Sequence, residues 1–114
     1  EGAEGTILAW VPGTGYVRGT REALETIGRP LVDAAGRNRI VEACRVAVEA
    51  EAVRLGAAQV EAVSAGPERR SRDGTVAGPV DVRITYARSG GYEVRTSRLT
   101  CVVDREGRVV ETAS

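Results

Sequence analysis

Apolar residues recur along this chain with two different periods. Between Arg39 and Leu55 the spacing is helical: Val41, Cys44, Val48, Ala52 and Leu55 fall 3, 4, 4 and 3 residues apart, which makes one stripe on a helix. Asn38 has the side chain of an N-cap, and Gly56 suits the left-handed position beyond a C-terminus. Glu42, Arg45 and Glu49 fall on another face, at spacings that suit exposed ion pairs. Beyond Gly56 the period drops to two. Gln59–Ser64 reads as a strand, and the Arg-rich stretch Ala65–Gly78 breaks the pattern. Pro79–Arg88 is the clearest strand, with Val80, Val82, Ile84 and Tyr86 facing one way and Asp81, Arg83 and Thr85 the other. Ser89-Gly90-Gly91 predicts a hairpin loop, Tyr92–Val103 a long strand, Asp104–Gly107 a turn and Arg108–Thr112 a last short strand.

The long strand changes parity within itself. Tyr92 and Val94 are its early apolar positions; Leu99, Cys101 and Val103 are its late ones. If all of them face one core, one extra residue is needed between the two sets. A three-residue loop would pair Tyr86 with Val94, and a β-bulge within Thr96–Arg98 would restore the register after it.

The N-terminal segment is less regular. Thr6–Val11 suits a short strand or an ordered arm, Pro12-Gly13 a turn, and Gly13, Gly15 and Gly19 predict a loop. Thr20 can cap a short helix over Arg21–Ile27, with Ala23, Leu24 and Ile27 on one face, stopped by Gly28 and Pro30. The expected architecture is α+β: one long helix (about 39–55) packed on a three- to four-stranded antiparallel meander. A single domain of 114 residues would then consist of a Gly-rich arm (1–19) and a helix-plus-meander core (38–112).

Composition narrows the chemistry. Sixteen basic residues, all Arg, balance sixteen acidic ones. A net charge of zero removes the bulk electrostatic argument for nucleic acid or an anionic membrane as partner. No apolar run approaches the roughly 18 residues a membrane-spanning helix needs. His, Phe, Met and Lys are absent. The usual general base and commonest transition-metal ligand are therefore missing, and the core must be built from Val, Ile, Leu and Ala.

Two cysteines each fall on an apolar face, Cys44 by helical period and Cys101 by strand period. A disulfide between them fits best. A redox or metal pair lacks a C-x-x-C spacing and a His, and two free core cysteines are the remaining alternative. Closing a loop of this length would stabilise the fold by about 4 kcal/mol in the chain-entropy model. It would also place the chain in an oxidising compartment, periplasmic or secreted.

Arg69, Arg70, Arg72, Arg83 and Arg95 are the candidate ligand-binding residues, because guanidinium groups suit phosphate or carboxylate. On this reading Arg83 and Arg95 point outward from adjacent strands of a cystatin-like curved sheet. The plainer reading is a solvated loop balanced by Glu68 and Asp73. Gly13-Thr14-Gly15-Tyr16 lacks the Lys and the third Gly of a phosphate loop, and Asp104-Arg105-Glu106-Gly107 lacks the ligand series of a calcium loop. The serines have no His partner. No catalytic residue, metal or cofactor is expected, and the chain does not read as an enzyme. Trp10 and Tyr16 bracket the Gly-rich arm, as a contact for a protein partner or a second copy, or as a cover over one end of the core.

The order helix, strand, strand, strand, closing on Leu99-Thr100-Cys101-Val102-Val103-Asp104-Arg105-Glu106-Gly107-Arg108-Val109-Val110, resembles the PepSY domains of bacterial secreted proteins. The resemblance spans about Asn38 to Thr112; the cysteine pair and the Arg-rich insertion depart from it. It implies an exported binding or inhibitory module and carries over no functional residue.

Overall fold

The computed structural model describes residues 5–34, 36 and 38–113. In chain order its elements are β1 (Thr6–Val11), β2 (Gly15–Thr20), α1 (Arg21–Glu25), α2 (Val41–Ala52), β3 (Ala57–Ser64), β4 (Arg69–Arg70), β5 (Val76–Arg88), β6 (Gly91–Val103) and β7 (Val109–Ala113). A 3-10 turn, Val53–Leu55, prolongs α2. The strands form one sheet in the order β1-β2-β6-β5-β3, with β4 beside β5 and β7 beside β6. Every pairing is antiparallel except β2 with β6, which is parallel through Val17–Tyr92 and Arg18–Glu93.

The molecule is α+β, but one long helix on a three- to four-stranded antiparallel meander is not its architecture. The sheet has seven strands and is mixed. The expected helix begins at Val41, not Arg39. Asn38 does not cap it in the expected way. It stands two residues before the N-cap residue Ile40, its Oδ1 accepting from the Ile40 N–H while its Nδ2 donates to the Gly66 and Pro79 carbonyls, which ties the chain entering α2 to the sheet. Gly56 does close the helical segment in the left-handed conformation, with φ of 99°. Leu55, assigned to the buried stripe, is exposed.

The loop expected over Gly13–Gly19 is largely strand. Gly19 is a strand residue because β2 passes close to β6: a Cβ there would lie 2.7 Å from the Val94 carbonyl oxygen. Gly91 meets the same requirement at the hairpin, where a Cβ would overlap the Tyr16 carbonyl. Thr20 does cap α1, its Oγ1 accepting from the Ala23 N–H.

The expected bulge at Thr96–Arg98 is absent. The β5–β6 ladder runs unbroken from Val76–Val103 to Arg88–Gly91, with only Ser89 and Gly90 in the turn, and Tyr86 faces Glu93, not Val94. The parity change has another cause: both faces of β6 are covered. Val94 lies under α1 in a small core with Val17 and Ala23. Leu99, Cys101 and Val103 lie on the opposite face, in the core beneath α2 with Ile40, Cys44, Val80 and Val82. A third cluster, Ala52, Val60 and Tyr86, sits under the far end of α2. Cys44 and Cys101 are bonded, both at most 1% exposed, and the bond joins α2 to the second half of β6.

Candidate functional site

The β1–β2 hairpin carries the most exposed cluster of large apolar side chains on the sheet. Alternation along the two strands sends Leu8, Trp10, Tyr16 and Arg18 to one face, with Trp10 opposite Tyr16 and Leu8 opposite Arg18. The rings of Trp10 and Tyr16 meet edge to face, centroids 5.0 Å apart. Leu8 is nevertheless 54%, Trp10 64% and Tyr16 49% exposed. The reason is topological. This face continues through Arg18–Glu93 onto the side of the sheet that α2 covers, but α2 packs over β3, β5 and β7 and leaves the hairpin open. The opposite face of the same hairpin is closed by α1 over Val17. Trp10 and Tyr16 therefore do not cap the core.

β1 is also a sheet edge. It pairs with β2 on one side and with no other described strand. Its six residues include no charge and no proline, and its register with β2 is unbroken. The other long edge, β3, is managed differently. Its register shifts between Ala57 and Gln59, Glu61 projects from it, and the Asp33–Ala34 backbone and side chain bond across its Ser64 end.

The five arginines are not brought together. Arg69 and Arg70 form β4 beside Val76–Ala77, and Arg72 is exposed in the turn that follows. Arg95 faces Ile84, eight residues further along β5, about 26 Å away at strand rise. Arg83 does not point into solvent. It is buried on the α1 face, held by two hydrogen bonds to the Glu61 carboxylate (2.8 and 2.7 Å) and one to the Thr26 carbonyl. Arg95 lies on the other face, beside Arg88, and both guanidinium groups stand over the Tyr86 ring. They share Glu93. Burial pushes the Glu93 carboxyl up, but hydrogen bonds from Arg95 and Arg88 outweigh it and hold the group below the usual carboxylate range. Arg88 also donates to the Leu55 carbonyl, so this cluster fastens the end of the helical segment to the hairpin tip.

Several depressions open on the described surface, and one of about 500 Å³ lies beside the hairpin, lined by Leu8, Tyr16, Arg18 and Arg88 among others. An open apolar groove of about 440 Å³ runs beside the second half of α2, lined by Val48, Leu55, Tyr86, Leu99 and Val109 among others. A smaller cleft of about 190 Å³ on the α1 face is floored by the Arg83–Glu61 pair, whose charges already satisfy each other. Among the described residues no three His, Cys, Asp or Glu side chains come together as a metal site would require, and no helix is long and apolar enough to cross a membrane.

Trp10 and Tyr16 stand out in the sequence by residue type; Leu8 does not, and its place beside them follows from strand alternation once Gly15–Thr20 pairs with β1. No protein-family model matches the chain, and neither a curated protein nor a solved structure matches it.

Proposed function

We propose that this chain is an exported, non-enzymatic protein-binding module that engages an extended partner segment along β1. The observation that carries this reading is the edge Ile7–Val11, which pairs with no described strand on its outer side and is flanked on one face by exposed Leu8, Trp10 and Tyr16. An added strand would pair with the outward backbone of Ile7–Val11, and its side chains would rest on the aromatic pair. The buried disulfide supports an oxidising compartment. The absence of His from the sequence, and the mutual neutralisation of the buried Arg83–Glu61 pair, support a binding role over a catalytic one.

Trp10 is the sole tryptophan, so its emission reports on the surface itself. Titration with an uncharged, Thr- and Val-rich extended peptide should give a saturable blue shift, and a Glu-rich peptide of equal length should not. The Leu8→Arg variant should respond to neither. If Trp10 emission responds to no peptide and to no change in the concentration of the chain itself, the reading is wrong.

A further inference from the structure

We infer that the partner of β1 is β1 of a second copy, paired antiparallel about a two-fold axis through Ala9; this inference rests on the protein-binding reading above. Two antiparallel edges related by a two-fold axis must have that axis normal to the sheet, which keeps each copy's α1 on the same side. Residues that face each other across the seam then share parity along the strand. The short edge leaves two central registers, with the axis at Leu8 or at Ala9. With the axis at Leu8, Thr6 would stand against Trp10 of the second copy. With the axis at Ala9, Ile7 stands against Val11 and Leu8 against Trp10, so every facing pair from Ile7 to Val11 is apolar.

The Ala9 register also places the charges well. Across the joined sheet one row reads Arg18, Leu8, then Trp10 and Tyr16 of the second copy, and the symmetric row reads the reverse. The apolar side chains meet at the seam. The two Arg18 groups stand at opposite outer ends, at least three strand spacings (about 14 Å) apart, which exceeds the screening length at physiological salt of about 8 Å. Each Trp10 keeps its edge contact with its own Tyr16 and covers Leu8 of the other copy. Ile7–Val11 carries no charge, no proline and no register shift to oppose such pairing, whereas β3 has several such devices among the described residues. One five-residue seam is small for a protein interface, so the dimer is reversible.

Light scattering of the full chain across a concentration series tests this, with Trp10 emission read in parallel. The mass should rise from 12.0 kDa toward twice that value, with the emission shifting in step. Leu8→Arg should weaken association about tenfold or more, because the substitution enters the interface twice. Unchanged circular dichroism and melting would confirm that this exposed site leaves the fold intact. The double variant Leu8→Arg/Trp10→Glu separates the registers. It should associate again if Ala9 is on the axis, since Arg then faces Glu, and should stay monomeric if Leu8 is on the axis, which would overturn the register. A wild-type chain that stays monomeric at every concentration, yet still answers the apolar peptide, overturns the second copy as partner and leaves the protein-binding reading standing. Silence in both measurements overturns both. A dimer that Leu8→Arg does not weaken overturns the site.

Discussion

The two halves of this sheet are closed by different means. Under α2, a twelve-residue helix and a disulfide cover one face, and the core there is Val, Ile and Cys packed to near-zero exposure. Under α1, five residues of helix cover the other face, and what holds β2 in place is close backbone approach at Gly19 and Gly91. The first half is fixed by a covalent bond and a large side-chain layer, the second by shape. β6 belongs to both, presenting Val94 to one and Cys101 to the other. The difference shows how a chain with few bulky side chains can complete a wide sheet. It staples the part that a helix covers, and it lets glycines bring in the strands that the helix does not reach.

The staple is the place to break this comparison hardest. Cys44→Ala should cost about 2–5 kcal/mol, measured by denaturant unfolding. The wild-type protein, unfolded without reductant, should show no reactive thiol. Two reactive thiols there would remove the disulfide and the case for an oxidising compartment together. A smaller loss, confined to the other half, is expected from Gly91→Ala. The new methyl group must displace the Tyr16 carbonyl, at about 1–3 kcal/mol. Hydrogen exchange should accelerate over Gly15–Thr20 while Val41–Ala52 stays as protected as before. Equal acceleration in both segments would mean that the halves are not separable.

The smallest effect sharpens the seam between the halves. Glu93 has a lowered pKa in the folded state, so its pairing with Arg95 and Arg88 contributes fully above the unfolded value of about 4.3. That contribution is lost as the pH falls through the lower folded value. Melting temperature should therefore drop on acidification below about pH 4, and Glu93→Gln should flatten part of that slope. An unaltered slope would show that the cluster over Tyr86 contributes no pH-dependent stability.

What could be read from the sequence, and what could not, follows from these halves. The α2 stripe as far as Ala52, the disulfide and the strand Pro79–Arg88 are legible because their apolar positions follow one period toward the face that α2 covers. The rest required knowing that the second face is covered as well. Without α1 in place, the parity change in β6 looked like a bulge, and Arg83 looked solvated although it binds Glu61 and Thr26 under that helix's end. β2 was hidden for a related reason. Gly15 and Gly19 carry no pattern: Gly15 takes a positive φ where the hairpin turns, and the small size of Gly19 matters only against Val94, far away in the chain. The hairpin surface was half legible, since Trp10 and Tyr16 stand out by type while Leu8 joins them only through pairing.

The covalent link between Cys44 and Cys101 has one further consequence, for mechanical load. A pull applied at the two ends of the chain travels through the residues before Cys44, crosses the sulfurs and leaves through those after Cys101. The chain between them, a sequence separation of 57 that takes in most of α2, β3, β4, β5 and most of β6, carries none of the tension. About 200 Å of contour length is thereby withheld from extension. Of the described elements, only β1, β2, the short α1, the start of α2, the last two residues of β6 and β7 can yield, and the stapled core moves through any stretching event as a single bead.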